Sequence, residues 1–320
     1  MHKGSMQFWH HRRAHSRMPR LRSSPSYIVE PSISSIIAFK VGMTHAMATD
    51  DTGAASKGAE VSRPCTILEI PTMEVYGMRL YSKDTNTHYK VSTLEVINSN
   101  SAKKLHMKVV KNDESKLGQT KAKISEFTDV VALVAAFPKG LGAEQHHPSR
   151  FEAHVGGKTM EEKFDFVAGM LGKELKAADV FKSGEFVDVT SISKGKGWQG
   201  PVKRFGIAVQ YHKATGKTRH VGSLGPFGVP KVLYTIPQAG QLGFNYRTEH
   251  NKRILKIGSR GDASITPPAG FQNYGKVRND YLMLNGSVPG PAKRLVRIRK
   301  SITNRNARGI KEAKVSYIAK

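Results

Sequence analysis

Cysteine is almost missing. Cys65 is the only one in 320 residues, which excludes an internal disulfide and any cysteine-built metal cluster and fits a reduced, cytoplasmic setting. Long hydrophobic runs are missing too: a membrane helix needs roughly 20 apolar residues, and the best candidate, residues 130–137, is far shorter. Signatures of catalysis are also absent. No H-E-x-x-H or G-x-S-x-G occurs. Gly157-Lys158-Thr159 and Gly216-Lys217-Thr218 end like phosphate-binding loops, but Glu152 and Tyr211 stand where the first glycine is required. His10, His11 and His15 have no cysteine or nearby acid to complete a metal site, and like the pair His146-His147 they read as RNA-facing or solvated histidines. These absences predict a protein that is not an enzyme, with no metal, no cofactor, no small-molecule substrate and no membrane.

Acid is scarce in particular places. Residues 1–25 hold six Lys/Arg and no acid, residues 276–320 hold twelve against Asp280 and Glu312, and residues 194–260 hold thirteen against Glu249 alone. Residues 26–193, with 20 basic and 21 acidic side chains, are nearly neutral. Charge added for solubility alone need not be segregated, so three basic extensions on a neutral body point to a polyanionic partner. The basic, Arg- and His-rich start has the composition of a transit peptide. It lacks an amphipathic period, and basic segments at both ends favour RNA-binding arms.

The middle extension also carries Trp198, Phe205, Tyr211, Phe227, Tyr234, Phe244 and Tyr246 among many glycines. Cations offset phosphate repulsion, aromatic faces stack on unpaired bases, and glycine lets backbone approach phosphate. Gly195-Lys196-Gly197-Trp198-Gln199-Gly200 matches the dinucleotide pattern G-x-G-x-x-G. Pro201 and the residues after it predict no helix to receive a pyrophosphate, and Arg219 and His220 stand where a ribose-binding acid belongs. A basic turn lying on RNA backbone accounts for the same residues.

The pattern along the chain is β-rich. Residues 1–32, dotted with Pro19, Pro25 and Pro31, read as an extended arm that orders on a partner. Strands are expected over residues 36–45, 61–71, 73–81, 103–110, 130–137 and 186–192, with weak helical character over 112–126. Thr159 and Glu162 form a capping-box pattern ahead of Met160, Phe164, Val167, Leu171 and Leu175, an apolar stripe at helical spacing. The expected organisation is an arm (1–32), a first part of the barrel body (33–193) with a helical insert at about 112–178, a basic finger (194–260), a closing part of the barrel (261–290) and a basic tail (291–320).

Phe181, Asp188, Ser191, Ser193, Gly195-Lys196-Gly197, Gly200 and Arg204 stand at the spacings of a family signature. Further matches are Phe39-Lys40-Val41-Gly42-Met43-Thr44-His45, Leu224-Gly225-Pro226-Phe227, Gln238-Ala239-Gly240-Gln241-Leu242-Gly243, Arg247-Thr248-Glu249-His250-Asn251-Lys252-Arg253 and Gly286-Ser287-Val288-Pro289-Gly290-Pro291. On these residues the chain resembles the ribosomal protein L3 family, in its archaeal and eukaryotic branch. The resemblance implies a mainly β fold with an α insert, a translation-protein-type β-barrel, and a long basic finger reaching toward the peptidyl-transferase centre. It implies large-subunit, 23S-type rRNA and neighbouring large-subunit proteins as partners, and a role in subunit assembly. Phe227 stands where this branch usually carries Trp.

The residues expected to meet RNA are Arg12, Arg13, Arg17, Arg20 and Arg22 in the arm and Lys293 and Arg294 in the tail. In the finger they are Lys194, Lys196, Trp198, Lys203, Arg204, His212, Lys213, Lys217, Arg219, His220, Phe227, Lys231, Arg247, His250, Lys252 and Arg253. Phe227 either packs on its own neighbours Leu233 and Tyr234 or is covered by an RNA base or ribose. The rivals to a structural ribosomal role are an RNA-modifying enzyme and a free RNA chaperone.

Overall fold

A computed structural model of the protein describes residues 11–51, 54–85, 87, 89–107, 114–143, 145–228, 230–259, 265–303 and 314–319. The first ten residues of the expected arm and residues 304–313 of the expected tail lie outside the described residues. In chain order the elements are β1 (Ser35–Thr49), β2 (Glu60–Glu69), β3 (Thr72–Lys83), β4 (Lys90–Ile97), α1 (Ser99–Lys104), α2 (Leu117–Ala122), β5 (Asp129–Phe137), β6 (Ser149–His154), α3 (Met160–Met170) and α4 (Ala177–Val180). They continue with β7 (Phe186–Ile192), β8 (Gly195–Gln199), α5 (Pro201–Phe205), β9 (Gly240–Gly243), β10 (Tyr246–Gly258), β11 (Tyr281–Asn285), β12 (Leu295–Lys300) and β13 (Val315–Ile318). The fold is mainly β, as expected, and no described helix is long and apolar enough to cross a membrane.

Two compact units divide the chain. One gathers Met1–Arg17 and Ile192–Arg247, the other Met18–Ser191 and Thr248–Lys320. The larger unit is built on a sheet in the order β12-β7-β10-β11-β2-β1-β13, and an additional β12–β1 pairing closes six of its strands into a barrel. Closure leaves those six strands without a free edge. The closing ladder pairs Ser35 with Arg299 and Phe39 with Leu295, so inward Ile36, Ala38, Val296 and Ile298 join one core. A second sheet, β4-β3-β5-β6, is antiparallel throughout, and Phe164 and Val167 of α3 are buried in the same core cluster. The capping box of α3 forms as read from the sequence: Thr159 Oγ1 accepts from Glu162 N at 3.3 Å, and Glu162 Oε2 accepts from Thr159 N at 3.4 Å.

Several expectations are corrected. Residues 103–104 end α1, not a strand; Asn98 Oδ1 accepts from Asn100 N at 2.9 Å and Ser101 N at 3.0 Å, and this cap starts a helix where β propensity suggested none. Residues 112–178 hold β5 and β6 as well as helices. Residues 295–300, read as tail, form the strand that closes the barrel, because Leu295, Val296 and Ile298 face the core while Arg297 and Arg299 are buried among polar partners. Residues 18–32 have no helix or strand but are held: Tyr27 donates its hydroxyl to Ser301 O at 2.6 Å, and Arg299 Nη1 donates to Ser23 O at 2.5 Å.

Residues of four motifs of the resemblance are joined in two pairs inside this unit. Lys40 Nζ donates to Val288 O at 2.5 Å and Gly290 O at 3.2 Å, joining the first motif to the Gly286–Pro291 motif. Asp188, fully buried, accepts from Asn251 N, Ile302 N and Arg299 Nη2 at 3.0 to 3.2 Å. Ser191 Oγ donates to Leu295 O at 3.0 Å. Cys65 is buried, and burial pushes its thiol up to about 11, so it stays protonated and unreactive at neutral pH.

Candidate RNA interface

The smaller unit contains no Asp or Glu at all and thirteen Lys or Arg. With no carboxylate inside it, self-repulsion opposes compaction until a polyanion neutralises it.

Its base is a two-stranded ribbon in which β8 runs antiparallel to β9, with Gly195 opposite Gly243 and Trp198 opposite Gln241. Gly243 has φ +75°, and a Cβ there would lie 2.0 Å from Lys194 O, so only glycine fits the crossing. After β8 the chain enters α5, which the sequence reading denied. Gly200 precedes it, Pro201 occupies its first turn, and Gly206 ends it in the left-handed conformation. A proline that ends a helix in the middle starts one at this position, and that positional meaning was missed. The dinucleotide reading fails all the same, because β8 belongs to a two-stranded antiparallel ribbon and α5 has only five residues.

Arg204 ties the ribbon to α5. It donates from Nη1 to Gln238 O at 2.9 Å and from Nε to Gln241 O at 3.3 Å. Its guanidinium lies over Gly240, where a Cβ would approach to 2.8 Å. This signature arginine therefore holds the two ends of the intervening loop together. Ser193 and Asn245 exchange hydrogen bonds of 3.0 and 3.2 Å beside it. Ala14 N donates to Phe244 O at 2.8 Å and Asn245 Nδ2 to Arg12 O at 2.8 Å, so the described arm residues of this unit are pinned at the ribbon.

Between α5 and β9, residues 206–239 contain no helix or strand among the described residues. A structureless loop of this length is uncommon in compact domains unless it binds something. Its surface is both cationic and apolar. Lys213, Lys217, Arg219, Lys231, His212 and His220 are exposed, as are Lys194, Lys196 and Lys203 beside it. Trp198, Val209, Tyr211, Leu224, Phe227, Val232, Leu233 and Tyr234 are exposed large hydrophobics, and Phe227 is fully exposed. The reading in which Phe227 packs on Leu233 or Tyr234 is excluded by that exposure. Tyr211 and Tyr234 were not singled out as contacts from the sequence. The signal was available: aromatic residues in a Gly/Pro-rich stretch without helical or strand period have no core to enter.

The remaining expected contacts divide. Arg12, Arg13, Arg17, Arg20, Arg22 and Arg247 are exposed. Lys252 is paired with Glu249 at 2.6 Å, and Arg253 grips Asp51 through two bonds of 2.7 and 2.6 Å. Lys293 and Arg294 are half-buried beside β1, where Lys293 N donates to Lys40 O at 2.7 Å. His250 is half exposed, and its Nδ1 lies 3.0 Å from Asp188 Oδ2. No three His, Cys, Asp or Glu among the described residues are grouped so as to hold a metal ion. The arrangement supplies cations and stackable rings on one exposed, glycine-rich surface.

A sequence model of the family described as Ribosomal protein L3 matches residues 1–319. A protein of Methanothermobacter thermautotrophicus named "Large ribosomal subunit protein uL3" is 42% identical over 310 residues, 94% of this chain and 91% of its own length. Proteins of the same name from Methanobrevibacter smithii and Methanocaldococcus jannaschii are 42% and 39% identical, covering 95% and 99% of this chain and 92% and 95% of their own lengths.

Proposed function

This chain belongs to the ribosomal protein L3 family, and on that premise we propose that it is a structural, rRNA-binding constituent of the large ribosomal subunit. The observation that carries the proposal is the acid-free unit with its exposed rings. Free in water, the loop has neither a core to bury those rings nor carboxylates to balance its charge. An RNA groove with unpaired bases supplies both, phosphate for the cations and base faces for the rings. The barrel of the larger unit is a closed body, and within the smaller unit Arg204 and the β8–β9 ribbon hold the two ends of the loop together. Its partners are large-subunit rRNA and adjacent ribosomal proteins, and its place is the ribosome in the cytoplasm. A tagged copy sedimented on a ribosome gradient should travel with large subunits and stay there through a high-salt wash. Release into the top fractions would favour a free chaperone.

The finger's tip is the turn containing Gly225, Pro226, Phe227 and Gly228, and it points toward the catalytic centre of the subunit. Gly225 has φ +140° and Gly228 φ +93°, which make the turn tight and leave the Phe227 ring outside it. Phe227→Ala should leave the melting temperature of the free protein unchanged, because the ring touches no core. In assembled subunits the same change should alter chemical reactivity of rRNA at the peptidyl-transferase centre, while Phe227→Trp should be tolerated. Changes confined to the subunit's outer surface would place the tip elsewhere.

A further inference from the structure

A second acid-free surface lies on the larger unit, within residues expected to close the barrel. Residues 265–279 contain no Asp or Glu, and neither do residues 138–143. Folding brings the two segments together. Residues 138–141 form a turn closed by Leu141 N donating to Pro138 O at 3.1 Å. A Cβ on Gly142 would lie 2.9 Å from Tyr274 Cδ1, so this first turn rests directly on the second segment.

The second segment is itself a turn, and it is rigidly mounted. Phe271 and Gly275 exchange two backbone hydrogen bonds of 2.9 Å. Asn273 between them has φ +61°, a left-handed conformation that asparagine tolerates better than most residues. Phe271 and Tyr274 are buried. Glu69, fully buried on β2, accepts from Tyr274 Oη at 2.6 Å, from Arg278 N at 2.7 Å and from Asn279 N at 2.8 Å. One buried carboxylate thus fixes the turn and the strand entry that follows it.

What this mount presents outward is polar. Gln272, Asn273, Lys276 and Arg278 are exposed on it and Lys139 is exposed on the neighbouring turn; their side chains hold no protein group among the described residues. None of the exposed large hydrophobic residues falls in either segment. A protein partner would need an apolar centre to its interface, which these turns do not offer. Phosphates need cations, and the edge of an unpaired base needs a donor and an acceptor side by side, which a side-chain amide supplies. Base recognition also requires that the amide be held still, and the Glu69 mount does this.

We propose that these two turns form a second RNA contact, on the larger unit: Gln272 and Asn273 hydrogen-bond the edge of an unpaired base of rRNA, while Lys139, Lys276 and Arg278 take the flanking phosphates. This rests on the reading of the protein as rRNA-binding and extends it to residues that were not among the expected contacts.

The test uses the full-length protein and a transcript of large-subunit rRNA, with affinity measured against salt. The triple variant Lys139→Ala, Lys276→Ala and Arg278→Ala should flatten the log–log salt dependence by about 2, at about 0.7 per contact. The double variant Gln272→Ala and Asn273→Gly, in which glycine keeps the left-handed φ, should retain the wild-type slope and bind about tenfold more weakly at every salt concentration. Neither variant should change the melting temperature; a fall of several degrees would assign these side chains to holding the loop and overturn the proposal. In purified large subunits, a photo-crosslinking amino acid in place of Gln272 should attach to rRNA. Attachment to a neighbouring protein, or to nothing, would overturn the proposal as well. So would wild-type slope and affinity in both variants, and a flattened slope on changing Lys203, Lys213, Lys217 and Arg219 would then leave the rRNA-binding reading standing. Wild-type binding that ignores salt would instead overturn that reading.

Discussion

Replacing Asp188 with alanine should destabilise the free protein by about 3–5 kcal/mol, the cost of removing one member of a buried charged pair and stranding the other. Arg299, buried on β12, would lose its only carboxylate among the described contacts. Asn251 N and Ile302 N would lose their acceptor at the same time. These bonds bind β7, β10 and β12, three adjacent strands of the closed ring, so the damage falls on closure itself. At about 2–4 °C per kcal/mol for a domain of this size, the melting temperature should fall by about 6–20 °C. Thermal unfolding followed by far-UV circular dichroism reads this directly. A change of only a degree or two would mean that the carboxylate is dispensable and that the ring is held by its apolar core alone.

The second large effect concerns RNA and should leave stability untouched. Lys203, Lys213, Lys217 and Arg219 are exposed and hold no protein group among the described residues. If each neutralises one phosphate, changing all four to alanine should flatten the log–log dependence of affinity on salt by about 3, at about 0.7 per contact. Between 50 mM and 200 mM salt that amounts to a difference of about 60-fold in how much affinity is lost. The melting temperature should not move. Arg204 and Arg253 make a useful contrast, since their guanidinium groups are bonded to Gln238, Gln241 and Asp51. Their replacement should disturb the fold before it reports on RNA. An unchanged slope in the fourfold variant would move the binding surface away from the loop.

Much of this architecture was legible in the sequence where local chemistry decides it. The cap Thr159–Glu162 with its apolar stripe gave α3, and the Val- and Ile-rich runs gave β1, β2, β3, β5 and β7. What stayed hidden depends on partners far along the chain. Arg297 and Arg299 read as surface charge because nothing local shows that Asp188, Ser23 and the backbone of Glu152 surround them. That misreading turned the closing strand into a tail. Arg204 and Arg253 were counted among RNA contacts for the same reason: a cation's sequence neighbours do not reveal the carbonyl or carboxylate it will meet. The exposed loop cations were legible because the reason for their exposure is itself compositional. A segment without acids and without apolar periodicity can neither pair nor bury its charge.

The central claim is that the acid-free unit is where the protein meets RNA, and lysine acetylation footprinting tests it most directly. The free protein and purified large subunits would be treated with the same amine-reactive reagent and the modified sites read by mass spectrometry. The account predicts that Lys194, Lys196, Lys203, Lys213, Lys217 and Lys231, all exposed in the free chain, become protected in the subunit. Equal reactivity of these six lysines in the free protein and in the subunit would contradict it.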